Sequence, residues 1–238
     1  CLLSRGLGDV YKRQGFIYKN IYSFDKPSKI YRLSENNKPE LIHFQGIRLS
    51  NYFDIYNGNI LYAAQFFHTR WHLEDYNDLV IYNGSTKKCE RITNKRRLFN
   101  PQYINHGKEI IAVDLSKPSL PQLIIMNVNS KEETRIKNPE KYFFSYPKEF
   151  STTEIMVLLR DSIGQSNLAI LNKNTHSIET LLPWTYHQLG IPEYYNNQIY
   201  FAASFSGIDH IYRLDLESKK IEQLTTVSYT HLRAHETR

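Results

Sequence analysis

Two textures of apolar and polar positions alternate along this chain, and both return at a near-constant interval. Continuous apolar stretches that end in a small polar residue, IYRLS, LVIYN, LIIMN, LAILN and IYRLD, begin at residues 30, 79, 123, 168 and 211, at intervals of 49, 44, 45 and 43. A second set, NILYAAQ, EIIAVDL, EIMVLLR and QIYFAAS, begins at residues 59, 109, 154 and 198, in step with the first at intervals of 50, 45 and 44. Uninterrupted apolar runs of this length suit strands buried on both faces. A third set alternates polar with apolar residues: CERIT from Cys89, ETRIK from Glu133, SIETLL from Ser177 and KIEQLTT from Lys220. Period-two alternation marks a strand with one wet face. A fourth set opens each unit with a proline beside an aromatic or apolar residue, as in NPQYI from Asn100, SYPKEF from Ser145 and IPEYY from Ile191. Proline has no N–H to give a ladder, which places it in the first residues or on the edge of a strand.

Between the first and second strands of successive units stand YNG at Tyr56, NHGKE at Asn105, STTE at Ser151 and NNQ at Asn196. These suit hairpins whose tips need positive φ. Four strands per unit of about 45 residues, with no helical periodicity, predict an all-β β-propeller fragment of four-stranded antiparallel blades. A sandwich has no reason to keep three strand series in step over four units. The spacing places four complete blades near Arg48–Thr93, Leu98–Lys137, Phe143–Pro183 and Gln188–Thr226. An incomplete blade of three strands is expected before them, at Gly15–Phe44, so that the propeller fragment spans residues 15–226 as an open arc. The proline-bearing strand should lie nearest the axis and the alternating strand at the periphery.

The unit QIYFAASFSGIDHIYRLDLESKKIEQLTT, Gln198 to Thr226, resembles the repeat of TolB-like, WD-repeat-like propellers, whose third strand ends in Leu-Asp and whose fourth ends in Leu-Thr. The tract from Trp71 to Val113 is similar to propeller segments inside large exported bacterial proteins. Where that repeat has a Ser-Pro-Asp-Gly turn, this chain has Ile104-Asn105-His106-Gly107. The resemblance implies a periplasmic, outer-membrane-associated or extracellular location, with any signal peptide lying ahead of the sequence given. It also implies companion domains in the same full-length chain, either an outer-membrane barrel or a peptidase-like domain.

The two ends break the pattern. Residues 1–14, CLLSRGLGDVYKRQ, and 227–238, VSYTHLRAHETR, resemble translated sequencing-adapter read-through and are expected to be non-native. Without Arg5, Lys12, Arg13, Arg233, Arg238, Asp9 and Glu236, the net charge falls from +6 to +3. The remaining bases are interspersed with acids and form no stripe, which argues against a nucleic-acid partner. Lys87–Arg97, the one locally basic tract, reads as a solvated strand end and turn. With Cys1 set aside, Cys89 stands alone and has no partner for an internal disulfide. No apolar run approaches the roughly 18 residues that a membrane-spanning helix needs, so this segment is not expected to insert in a bilayer. A hydrophobic content of 41% with 13% aromatic residues is ample for a folded core.

Candidate chemistry is sparse. No Gly-rich phosphate loop, nucleophile elbow or paired-cysteine metal motif occurs, so no catalytic residue, cofactor or metal site is assigned. His68, Arg70, Trp71, His72 and Asp75 lie in a long link, Phe66–Asp78, between the second and third strands of their blade. His68 and His72 would share a face only on a helix, and the glutamate that follows the first histidine of a metalloprotease is absent. Trp184, Tyr186 and His187 lie in Leu181–Gly190, which joins two blades and whose aromatics more often seal one blade against the next than grip a ligand. Loops on a rigid scaffold carry recognition, so these eight residues are the binding candidates. Asp161, Asp209 and Asp215 recur at strand ends and turns, where capping hydrogen bonds are expected.

Two functions of different class follow. The first is a non-catalytic binding or scaffolding propeller module of a larger exported cell-envelope protein, recognising a protein, peptide or glycan. The alternative is the accessory propeller of a larger prolyl-oligopeptidase-like peptidase or hydrolase, whose catalytic domain lies outside this sequence.

Overall fold

A computed structural model describes residues 10–13, 16–23, 26–33, 39–46, 52–70, 75–117 and 121–226. Every regular element among them is a strand, and the strands form five four-stranded sheets, each antiparallel and each running in chain order. Blade 1 holds β1 (Val10–Arg13), β2 (Phe16–Ser23), β3 (Lys26–Leu33) and β4 (Pro39–Gly46). Blade 2 holds β5 (Phe53–Tyr56), β6 (Asn59–Phe67), β7 (Asp75–Asn83) and β8 (Lys88–Arg91). Blade 3 holds β9 (Leu98–Ile104), β10 (Glu109–Asp114), β11 (Gln122–Asn127) and β12 (Glu133–Ile136). Blade 4 holds β13 (Phe143–Glu149), β14 (Glu154–Arg160), β15 (Ser166–Asn172) and β16 (Ile178–Thr180). Blade 5 holds β17 (Leu189–Tyr195), β18 (Gln198–Ala203), β19 (His210–Asp215) and β20 (Ile221–Gln223).

Blades 2 to 5 fall inside the four predicted spans. Ile110, Ile155 and Ile199, the centres of the continuous apolar runs, are 1%, 0% and 0% exposed. One expectation is corrected. Blade 1 has four strands where three were expected, because Val10–Arg13, within the segment set aside for its likeness to adapter read-through, pairs with β2 from Val10 opposite Lys19 to Arg13 opposite Phe16. Residues 1–9 and 227–238 lie outside the described residues.

The hydrophobic core lies between sheets. One cluster joins Ile30 of blade 1 to Phe53, Ile60, Tyr62 and Val80 of blade 2. The next joins Leu61, Ala63 and Leu79 of blade 2 to Leu98, Ile110 and Ile124 of blade 3. The third joins Ile111, Val113 and Leu123 of blade 3 to Ile155, Val157 and Ala169 of blade 4. The last joins Met156, Leu158 and Leu168 of blade 4 to Ile199, Phe201 and Leu214 of blade 5. Successive side chains in a strand point to opposite faces, so each central strand feeds two clusters and must be apolar throughout. Blade 5 shows the contrast: β18 and β19 alternate buried with half-buried positions, because one face is covered by blade 4 and the other is open.

Turn chemistry repeats with the blades. Asn57 and Gly58, Asn105 to Gly107, and Asn196 with Asn197 all have positive φ at the first hairpin of their blades. The Ser151 hairpin differs: it is closed by the Ser151 hydroxyl donating to Glu154 at 3.0 Å and by no left-handed residue. At the third hairpin of blades 2 to 5, the small polar residue that ends the apolar run caps the turn. The Asn83, Asn127 and Asn172 carbonyls each accept two backbone N–H groups at 2.8–3.0 Å, and Asp215 accepts from Ser218 at 2.8 Å. These are Asx turns.

The prolines mark a common irregularity in the opening strands. Asn100-Pro101, Tyr146-Pro147 and Ile191-Pro192 each set two residues against one on the neighbouring strand, opposite Ala112, Val157 and Phe201. Each proline therefore sits on an edge strand, as expected, but at its middle instead of its start, because a β-bulge removes the need for its N–H. The opening strands also contact one another from blade to blade. Tyr103 N donates to Asp54 at 2.8 Å, Glu149 N donates to the Gln102 carbonyl at 3.0 Å, and the Lys148 ammonium pairs with Glu193. A chain of polar contacts thus runs along the inner edge of blades 2 to 5.

Candidate functional site

Sequential antiparallel order sends the links between strands 2 and 3, and between strand 4 and the next blade, out of the same end of the sheets. The six described binding candidates lie on or beside such links. The structure treats them differently. His68 and Arg70 form a tight local turn, with Arg70 N donating to His68 Nδ1 at 3.1 Å and the His68 ring 6.4 Å from that of Tyr76. Trp71 and His72 lie outside the described residues. Asp75 belongs to β7, because β6 and β7 extend their pairing as far as Phe67 opposite Asp75. Its carboxylate accepts from Arg97 at 2.7 Å and Gln65 at 2.9 Å, and these bonds hold it below the usual carboxylate range.

Trp184 packs toward the core between blades 3 and 4, its ring 5.5 Å from that of Tyr142. His187 is exposed and meets Phe205 edge-on at 5.6 Å, while Tyr186 is 71% exposed. The two links therefore serve different blade interfaces. A cleft opens at this end of the sheets.

That cleft, about 560 Å³ in volume, opens between blades 3 and 4. Phe99 and Asn100 of β9 line one wall with Val113 and Leu115. Phe143, Phe144 and Ser145 of β13 line the other, with Arg160, Asp161, Ser162 and Gly164 at the end of β14 and in the turn that follows. Asn100 has φ 48, forced by the bulge it shares with Pro101, and Ser145 directly precedes the matching bulge in β13. Bulges re-aim side chains at functional rims. Asp161 is spent on the turn: its carboxylate accepts Ile163 N at 3.0 Å and Gln165 N at 2.8 Å, as the recurrence of aspartates at turns predicted. Burial raises the Tyr142 phenol above its usual value, and the charges of Glu140 and Asp161 add to that.

Sequence reasoning named Trp184 beside this cleft but missed its lining. Arg160 closes an apolar run and Asn100 precedes a proline, so both read as element boundaries; only the docking of one blade on the next brings them together. Among the described residues, no three histidine, cysteine or acidic side chains converge on a point that could hold a metal ion.

No protein-family model and no curated protein matches the chain. Solved structures do. TolB from Acinetobacter baumannii superposes with a TM-score of 0.69 at 16% identity, covering 87% of this chain and 50% of that one. A puromycin-hydrolyzing peptidase from Mycobacterium tuberculosis superposes with a TM-score of 0.59 at 9% identity, covering 92% and 38%. An oligogalacturonate lyase in complex with manganese gives 0.57 at 10% identity, covering 91% and 61%. At such identities the likeness establishes the fold, a TolB-like β-propeller arc, and the chain spans half the length of the TolB chain it matches.

Proposed function

We propose that this chain is a non-catalytic binding module, a propeller segment of a larger exported cell-envelope protein that recognises its partner at the end carrying the inter-blade cleft. The observation that carries the reading is the cleft itself. It is concave, with three phenylalanines among its apolar walls and five polar side chains beside them, and its volume lies in the roughly 300–1,000 Å³ typical of ligand sites. It is built by strands and their bulges, and Trp184 of one candidate link packs on the core between the same two blades. Likeness to TolB supports the envelope setting. A protein, peptide or glycan is the class of partner such a surface suits, with other domains of the same full-length chain as further neighbours.

A second reading draws on the likeness to a puromycin-hydrolyzing peptidase, which covers 92% of this chain. In it the arc is the accessory propeller of a hydrolase. Reading the full-length gene decides between them. A β-barrel or further envelope domains beside the propeller supports the binding module, whereas an adjoining α/β-hydrolase domain with a Gly-x-Ser-x-Gly elbow would replace it with the accessory role.

A further inference from the structure

Resting on the reading of this chain as a binding module, we propose that the cleft between blades 3 and 4 binds a carboxylate carried on an apolar or aromatic residue, with Arg160 as its anchoring cation. Arg32, Arg91, Arg96, Arg97, Arg135 and Arg213 each pair with a carboxylate of the protein. Arg160 has no such partner among the described residues, although it lines the cleft. The neighbouring acid, Asp161, already accepts two backbone N–H groups of its own turn. Gly164, at φ 89, borders the guanidinium: a Cβ there would stand 3.8 Å from Arg160 Nη2. The Asn100 amide and the Ser145 hydroxyl, which also line the cleft, have no side-chain hydrogen bond among the described residues.

An unpaired guanidinium with two further uncommitted polar groups is a donor set for an oxyanion, and arginine offers a carboxylate two parallel bonds. Phe99, Phe143 and Phe144, with Val113 and Leu115, supply the apolar walls for the group that carries it. Phe143 is 47% exposed, which leaves an aromatic face for the ligand to cover. Two sources share this chemistry: a free aromatic acid, and the C-terminal residue of a polypeptide.

The test is calorimetric titration of the chain with N-acetyl-phenylalanine and with an acetylated tetrapeptide ending in phenylalanine, each as the free acid and as the C-terminal amide. Both free acids are expected to bind, amidation to weaken each at least tenfold, and Arg160→Gln to weaken the acids to the level of the amides. Arg213→Gln, on a guanidinium paired with Glu222 in blade 5, should leave binding unchanged. Tighter binding of the tetrapeptide assigns a polypeptide terminus, and equal affinities assign a free acid. Acid and amide binding alike, Arg160→Gln binding as the unaltered chain does, or no heat from either acid at millimolar concentration would overturn the site. The module reading is decided by gene content alone, so the two can fail separately. Arg160 is exposed, so its loss does not endanger folding.

Discussion

Gly107 shows how one backbone position ties a turn to its neighbouring blade. It has φ 75, and a Cβ there would lie 2.2 Å from the Tyr56 ring of blade 2. Both backbone conformation and space are therefore reserved for glycine. Gly107→Ala is expected to destabilise the fold by about 1–3 kcal/mol, read as a lower urea midpoint at unchanged slope. An unchanged midpoint would mean that the turn and Tyr56 can both shift. At this scale, residues with a local role were legible. The terminal asparagines of LVIYN, LIIMN and LAILN stand out because Asx turns are closed within a few residues of chain. Arg160, Asn100 and Ser145 carry no comparable mark, since what distinguishes them is a long-range arrangement of two blades. Asp75 reads as part of a link because the apolar run of its strand begins only at Leu79, yet β7 starts at Asp75 through cross-strand pairing with Phe67.

Strands obey the pattern more strictly than single residues do. The continuous runs at β10 and β14 are covered on both sides, while β8, β12, β16 and β20 are mostly exposed, so the expected order from core to periphery holds. Ile155→Asp places a charge in the cluster between blades 3 and 4 with nothing to pair it, and should cost about 3 kcal/mol or more. Glu179→Lys, at an exposed position of β16 whose nearest cation, Lys219, is 3.8 Å away, should stay within about 0.5 kcal/mol. Equal melting temperatures for the two variants would refute the division of inner from outer strands. β4 offers a pH-dependent test. Its His43 packs on Tyr82 with ring centroids 4.4 Å apart and shares a 2.8 Å hydrogen bond with the Tyr62 hydroxyl, and burial draws its pKa from 6.5 down to about 4. The unfolded chain therefore takes up this proton first. Stability from this group is complete above pH 6.5 and is lost as pH falls toward 4. The ring is partly open to solvent, so the slope should stay below the one-proton limit of about 1.4 kcal/mol per pH unit. Denaturation at pH 7, 6 and 5 should show a flatter profile for His43→Asn, and an unaltered profile would exclude His43 as its source.

Across the whole arc, the inner edge carries polar contacts from one blade to the next. Lys148 is 3% exposed and its charge is retained, because the Tyr52 phenol and the Glu193 and Asp54 carboxylates outweigh the burial that opposes it. Glu193→Gln should cost about 2 kcal/mol, since it weakens the partner of a buried cation, and Lys148→Met in that background should recover part of the loss. A double-mutant cycle with no coupling would show that the pair is incidental. Repeat spacing made the number and bounds of blades 2 to 5 readable, because each blade repeats the same four patterns. It could not reveal the first strand, because Val10–Arg13 resembles adapter read-through and carries none of the repeat's patterns, nor the inter-blade cleft. The location of the four apolar clusters between blades has a mechanical consequence. Pulled from its two ends, the chain should part like a row of leaning slats, each blade losing its support as the one outside it leaves. Extension would then come in steps of one unit, about 45 residues, or about 150 Å of released chain per step at roughly 3.4 Å per residue.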